Sequence, residues 1–462
     1  MNILLNADSY KYTMHKQYPP KTEYVYSYIE SRGGVYDKTV LFGLQPFLKE
    51  LAKPITIDQV NSTKQLIDAH LGEGIFNYDG WKYIVDELDG KLPVVIQSLP
   101  EGSLVNNKNV LLTIANTDPK CYWLTTFLET ALLRAIWYPT TVATRSHYIK
   151  KKILDYLNVN GTPSDIDYKM IDFGSRGVSS LESSQIGGAA HLVNFKGTDN
   201  VSALDWVYHN YNEFCVGHSV PASEHSVACS WDKEITGFDN MLTQYKDSPV
   251  ISYVSDTYDI FNICHEIGIH LKETIIEQNQ VFVIRPDSGE PVDVILKCVD
   301  ILKQYFGTEL NDRGYEYFKH IKFLWGDGIT LENIESILWN LHTNGYSSDI
   351  MVFGAGGYLL QQLDRDTCKF AMKASAICID GKWKDIFKDP ITDPGKKSKT
   401  GTFSVIRNQS QLDKYSTIKQ DLLFANGFDL LEKVFYDGDV LKEYTFSEVR
   451  DNLKNDIFSE QI

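Results

Sequence analysis

Between residues 168 and 357, short apolar runs stop abruptly at polar or glycine-bearing turns, and most of these turns open a stretch with helical periodicity. The pattern recurs seven times. The turns are Asp172-Phe173-Gly174-Ser175-Arg176-Gly177, Lys196-Gly197-Thr198-Asp199, Pro221-Ala222-Ser223-Glu224-His225, Ser255-Asp256-Thr257-Tyr258-Asp259, Arg285-Pro286-Asp287-Ser288-Gly289, Gly326-Asp327-Gly328 and Gly354-Ala355-Gly356-Gly357. Runs rich in Val, Ile and Phe that end this way predict parallel strands joined by crossover helices, two of them over residues 291–305 and 331–341. Such strands build either a barrel or an open doubly wound sheet. An open sheet binds at one switch point, so only a few of its turns need chemical residues. Here all the turns carry them, which favours an α/β barrel with its chemistry on the C-terminal rim.

The flanking segments read differently. Residues 22–30 alternate as a strand does, with Tyr24, Tyr26 and Tyr28 on one face. Residues 92–99 and 110–114 predict further strands, and Leu124, Leu128, Ala131, Leu132 and Ala135 form a helical stripe. Beyond residue 376, Asp380-Gly381 and Asp437-Gly438 are hairpin turn signals. The chain thus divides into a mixed α+β domain over residues 1–165, the barrel over 166–375, and a segment over 376–462 expected to pack back on the N-terminal domain.

Composition narrows the function. A net charge of −16 over 462 residues argues against nonspecific binding to nucleic acid or membrane, both of which need a basic surface. It leaves room for an anionic small substrate in a locally basic pocket. Seven scattered cysteines with no Cys-x-x-Cys predict buried free thiols in a reducing compartment. The start of the chain has no apolar run long enough for a signal peptide, and residues 121–144 contain Glu129 and Arg134, so a buried helix is expected there. A cytoplasmic location follows as an expectation. There is no Walker A sequence, and Leu359 stands where a dinucleotide fingerprint starting at Gly354 needs its third glycine. His265 and His270 are spaced to point about 140° apart on a helix, too divergent to share one metal.

Several turns suggest specific chemistry. The sixth and seventh let backbone N–H groups approach an anion closely, with Arg365 one helix further on; either alone also suits an ordinary tight turn. Arg285 and Asp287 set a cation beside a carboxylate, either for phosphate, a sugar hydroxyl or Mg²⁺, or as an internal salt bridge. Asp256, Asp259 and Asp327 would add acidic groups on the same rim, suited to a Mg²⁺–polyphosphate ligand or a sugar ring that develops positive charge. Phe173, near Arg176, could stack on a planar ligand or belong to the core. His225 could be acid, base, nucleophile or structural.

Taken with longer blocks, these turns carry a resemblance. The blocks are Asn2-Ile3-Leu4-Leu5, Asp8-Ser9-Tyr10-Lys11, Lys16-Gln17-Tyr18-Pro19-Pro20, Asn116-Thr117-Asp118-Pro119, Cys121-Tyr122-Trp123-Leu124-Thr125, Trp137-Tyr138-Pro139, Val142-Ala143-Thr144, His191 through Asp199, and Phe387-Lys388-Asp389-Pro390. Over nearly the whole chain the sequence resembles the nicotinamide phosphoribosyltransferases, which are type II phosphoribosyltransferases. The resemblance implies an irregular α/β barrel of about seven βα units with a larger mixed α+β domain built from both chain ends. It implies a head-to-tail homodimer with active sites at the subunit interface. The implied reaction joins nicotinamide to 5-phosphoribosyl-1-pyrophosphate, requires Mg²⁺, and couples ATP hydrolysis through a phosphohistidine.

Residue roles follow from the same resemblance. Phe173 and Tyr10 of the second subunit look like the two plates of a ring sandwich, near Asp8, and Asp199 resembles the acceptor for the carboxamide NH₂. Arg176 lies near the ring and phosphate. His225 looks like the phosphoacceptor beside Asp256. Arg285 and Asp287 resemble ribose and pyrophosphate contacts, Asp287 reaching Mg²⁺ through the pyrophosphate; Gly326 and Asp327 resemble ribose contacts. Gly356, Gly357 and Arg365 look like a phosphate cradle, and Arg32, Lys388 and Lys396 like partner-subunit cations for the polyphosphate. Ser175 replaces an aromatic residue common in the family, Tyr358 replaces a glycine, and the short segment 31–39 points to a bacterial or phage-type member. The alternatives are a nicotinate phosphoribosyltransferase, which Asp199 opposes, and a non-catalytic nucleotide-binding or signalling protein, which the intact Asp287, Asp327 and His225 oppose.

Overall fold

In the computed structural model, which describes residues 2–392, 396–408, 414–423 and 427–458, six of the seven apolar runs form one parallel sheet. Across it the strands are Gly197–Thr198, Met170–Asp172, Met351–Ala355, Ile321–Trp325, Val281–Arg285 and Val250–Val254. Every pairing is parallel. The third turn departs from the expected seven equal units. Its approach makes only two isolated parallel bridges, His218 to Gly197 and Ala222 to Ser252. These bridges touch the two edge strands, so one segment joins both edges of the sheet. Pro221 lacks an N–H and cannot donate to a neighbour, which keeps the segment from becoming a regular ladder.

The crossovers form as the periodicity predicts. Pro291–Phe306 buries Val294, Ile295, Cys298, Val299, Ile301 and Leu302, and Leu331–Thr343 buries Ile334, Ile337, Leu338 and Leu341. Each such aliphatic side chain contributes roughly 1.5–3 kcal/mol on burial. Caps fix where the helices begin. Thr330 accepts from Asn333 N, and Asp259 accepts from Phe261 N and Asn262 N. Asp259 thus has a structural role as a helix cap through Oδ1, which its turn alone did not distinguish from that of a rim carboxylate. At the opposite end of the sheet, the buried Lys169 amine donates to the carbonyls of Asp349 (2.9 Å) and Met351 (3.2 Å). Burial, reinforced by Lys322, pushes it down to about 7.

A second sheet has seven strands in the order Lys382–Asp385, Phe370–Ile379, Thr22–Ser31, Val110–Asn116, Val94–Ser98, Glu432–Tyr436 and Asp439–Val440, all antiparallel. Thr22–Ser31 is buried continuously from Val25 to Ser31 rather than on alternate residues. It is an interior strand with neighbours on both edges, and its register shifts between Tyr26 and Ser27. Asp380-Gly381 and Asp437-Gly438 form the expected hairpin turns with positive φ at each residue.

The chain separates into two compact units: Met1–Thr144, His209–Glu213 and Asp364–Ile462 in one, Arg145–Tyr208 and Phe214–Leu363 in the other. These divisions differ from 165 and 375. On the C-terminal side the reason is direct, since Phe370–Ile379 already pairs with Thr22–Ser31. Leu124, Leu128, Ala131 and Leu132 are buried in the helices Leu124–Phe127 and Glu129–Asn160 and the turn between them. No helix among the described residues is long and apolar enough to cross a membrane. All seven cysteines are free, but Cys215 and Cys229 are exposed, contrary to the expectation of burial throughout.

Candidate active site

The first two turns of the parallel sheet are tied together by buried polar groups. Asp172, fully buried at the end of its strand, accepts from Gly174 N (2.7 Å) and from Asn200 Nδ2 (3.1 Å). Burial pushes its carboxyl up to about 6; the Gly174 and Asn200 donors oppose this, and the Asp199 charge adds to it. Asp199 itself is exposed, with Oδ1 accepting from Ser219 Oγ (2.5 Å). Phe173 stands between them in sequence, and its ring has an exact reason for its place: a Cβ at Gly354 would lie 2.2 Å from Phe173 Cε2. The missing side chain of Gly354 makes room for the ring, a steric role distinct from the anion approach suggested by its turn. Gly326 also borders the ring, where a Cβ would lie 3.4 Å away.

The next turns gather the ionisable groups. His225 Nε2 lies 3.0 Å from Asp256 Oδ1, and Asp256 Oδ2 accepts from Ser288 Oγ (2.5 Å). Asp256 is almost fully buried, while His225 is 44% exposed, so the imidazole can meet a ligand while its partner is fixed. Arg285 sits with its guanidinium 5.2 Å from the Phe173 ring centroid and 3.3 Å from Asp287. The internal salt bridge is therefore real, but Arg285 Nε remains buried without a partner. Phe173, Arg176, Asp199, His225, Arg285 and Asp287 line one cavity of about 600 Å³, with Asp172 in its wall. Asp256 reaches it through His225. Asp327 is exposed and, with Gly326, Gly356 and Gly357, lies outside the lining.

The remaining candidates belong to the other unit. Asp8 accepts from Thr130 Oγ1 (2.7 Å), and Tyr10 is 58% exposed. Arg365 pairs with Asp366 at the surface; Lys388 and Lys396 are exposed. Arg32 donates to Glu30, which also binds Lys399, and leaves Nη2 buried without a partner. Lys373, which the motifs did not single out, lies near Arg32, Lys11 and Lys388; burial first, then these cations against the opposing Glu129, push its pKa down. Ser219, Ser288, Asp172 and Asn200 also escaped notice in the sequence. Their importance lies in contacts across the fold, and only Asp172 and Ser288 had a local signal, as members of the quoted turns.

The cavity offers an aromatic face, an exposed acceptor carboxylate, a cation–carboxylate pair and a histidine held by a buried acid. It can receive a flat neutral ring with an N–H donor next to an anionic or hydroxylated group. Among the described residues no group of three or more His, Cys, Asp or Glu side chains could hold a metal ion.

Comparison with known proteins converges on one chemistry. Residues 168–435 match the nicotinate phosphoribosyltransferase (NAPRTase) family, and residues 2–96 match the N-terminal domain of nicotinamide phosphoribosyltransferase. A nicotinamide phosphoribosyltransferase of Xanthomonas campestris pv. campestris is 45% identical over 97% of this chain and 97% of its own length. One from Acinetobacter baylyi is 33% identical over 99% and 98%. Among solved structures, a nicotinate-nucleotide pyrophosphorylase from Pyrococcus furiosus aligns with a TM-score of 0.65 at 16% identity, covering 100% of this chain and 97% of that one. Human nicotinic acid phosphoribosyltransferase aligns at 0.60 and 14%, covering 98% and 93%. At these identities the structures share the fold alone.

Asp172 gives a pH signature. Its carboxyl holds a proton to about 6 in the folded chain, against 3.8 for the unperturbed group. The folded state thus binds more protons between these limits, so this contribution to stability is present at the acid end and is lost as pH rises through about 6. Relative to Asp172→Asn, the unsubstituted protein should lose on the order of 3 kcal/mol of unfolding free energy across that interval. Urea unfolding at matched ionic strength checks it, and a difference independent of pH would remove the assignment.

Proposed function

The chain belongs to the nicotinamide phosphoribosyltransferase family, and from that premise we propose that it transfers the 5-phosphoribosyl group of 5-phosphoribosyl-1-pyrophosphate to nicotinamide, giving nicotinamide mononucleotide and pyrophosphate in NAD salvage. The observation that carries this reading is the placing of Phe173, Asp199, Arg285 and Asp287 around one cavity. Phe173 presents a face to the pyridine ring. Asp199 accepts from the carboxamide NH₂, its free lone pairs directed by the Ser219 hydroxyl. Nicotinate would bring a second carboxylate to the same place and be repelled.

The ring nitrogen attacks C1 of the ribose while the bond from C1 to the pyrophosphate oxygen breaks, and the electron pair leaves with pyrophosphate. The sugar carries positive charge as the bonds exchange. Asp287 stabilises that charge, and Arg285 holds the departing oxygens, a charge-assisted contact contributing roughly 3 kcal/mol to the transition state. Mg²⁺ arriving with the pyrophosphate would neutralise its charge. Gly326 and Asp327 serve the ribose, and Gly356, Gly357, Arg365 and Arg176 the mononucleotide phosphate.

His225 is the phosphoacceptor for ATP. Asp256 accepts a hydrogen bond from the protonated Nε2, which leaves the lone pair on Nδ1 as the nucleophile, and the same ionised carboxylate stabilises the imidazolium of the phosphorylated ring. Ser288 links this relay to the turn of Arg285 and Asp287, so phosphorylation is felt where pyrophosphate is held. A second copy completes the site. Its exposed Tyr10 supplies the other face of the ring, near Asp8, and Arg32, Lys388 and Lys396 supply cations for the polyphosphate.

Product analysis with nicotinamide, the pyrophosphorylated sugar and Mg²⁺, with and without ATP, tests the reading. Mononucleotide should form with nicotinamide and more readily with ATP; faster use of nicotinate would move the chain to the other substrate. His225→Ala should lose ATP hydrolysis and keep slow mononucleotide synthesis, so ATP coupling that survives the substitution excludes the phosphohistidine. Asp199→Ser should shift the nicotinamide-to-nicotinate preference toward the acid by roughly tenfold or more, the worth of one hydrogen bond to a charged group. An unaltered ratio in competition assays would place amide recognition elsewhere.

A further inference from the structure

We propose that Asn200 is the positioning residue that sets the distance between the ring-bearing first turn and the amide-accepting second turn, an inference that rests on the function proposed above. Its side chain is buried and its amide is fully used. Nδ2 donates to Asp172 Oδ2 (3.1 Å) and to the Ser184 carbonyl (2.9 Å). Oδ1 accepts from Ser202 Oγ (2.8 Å) and Ala203 N (3.3 Å) and lies 3.2 Å from Ser184 Oγ. Ser184 Oγ extends the network to Ser175 Oγ at 2.8 Å. The turn that carries Phe173 is therefore gripped on both sides, at Asp172 and at Ser175, by groups bound to the residue next to Asp199.

The packing around this amide is built for it. Gly188, inside the helix Leu181–Leu192, faces it, and a Cβ there would lie 2.5 Å from Asn200 Nδ2 and 3.0 Å from Asp172 Oδ2. An interior helical glycine costs about 1 kcal/mol relative to alanine, and here it admits the clamp. The contact from Oδ1 to Ala203 N also caps the helix Val201–Tyr211. A cap needs only that oxygen. The two Nδ2 bonds have no part in capping; they join the second turn to the strand end and to the neighbouring helix.

Asn200→Ser separates the two roles, because serine caps as well as asparagine but has no amide to donate to Asp172 and adds no charge beside it. The KM for nicotinamide should rise by about tenfold or more while the KM for the pyrophosphorylated sugar stays within about twofold. Ser184→Ala, which removes only the hydroxyl bonds, should raise the nicotinamide KM by roughly threefold and decides the matter if the first variant does not fold. An unchanged nicotinamide KM in the folded variants overturns the proposal. So does a parallel rise in both KM values with a lowered Tm, which marks general loosening. If the unsubstituted protein forms no mononucleotide, the proposed function fails first and this inference falls with it.

Discussion

Parallel pairing is the constraint from which the rest of the candidate site follows. When every strand runs the same way, every strand end arrives on the same side, and the chain must travel back through a helix before it can contribute again. Asp172, Asp199 and the Arg285–Asp287 turn are far apart in sequence yet line one cavity because each stands at or just past the end of such a strand. The opposite ends do different work. There the Lys169 amine is occupied by backbone carbonyls, an arrangement that stiffens the sheet and presents nothing to a ligand.

Charge is sorted on this scaffold against the average of the molecule. With a net charge of −16, the chain as a whole repels anions. Yet Arg32, Lys11, Lys373 and Lys388 gather in one unit, where burial first, and these neighbouring cations after it, push the pKa of Lys373 down. Acidic groups are treated in a complementary way in the other unit. Asp172 is buried and answered by two N–H donors, Asp256 is held by a histidine and a serine, and Asp199 stays accessible. Each carboxylate thereby acquires a different character although all three are aspartates at turns.

The strand-and-turn rhythm was legible because buried parallel strands are nearly uninterrupted apolar runs, and the hairpins at Asp380-Gly381 and Asp437-Gly438 because their turns demand special residues. Burial of Val25–Ser31 on both faces was not, since alternation along one strand cannot reveal what packs on its second face. Asp259 looked like a rim acid because a cap and a ligand-binding carboxylate share one residue type and one place in a turn. Gly354 was visible as a glycine, but its purpose required the Phe173 ring to be in place. Asn200, Ser184 and Ser219 are ordinary polar residues whose weight comes entirely from partners elsewhere in the fold. The roles of Tyr10, Arg32, Lys388 and Lys396 rested on resemblance, since nothing in their local spacing points to polyphosphate.

The division of the chain also bears on the order of its making. Residues 145–363, apart from 209–213, form a unit interrupting the other, whose sheet needs strands from both sides of that interruption. During synthesis the parallel unit has all its strands before Phe370–Ile379 exists, whereas Thr22–Ser31 and Val94–Ser98 must wait for partners made near the end. Until then those early strands present unpaired, apolar edges, the kind of surface on which nascent chains associate wrongly. The interrupted design leaves the oldest part of the polypeptide waiting longest for its partners, and makes the last hundred or so residues the step that completes its sheet.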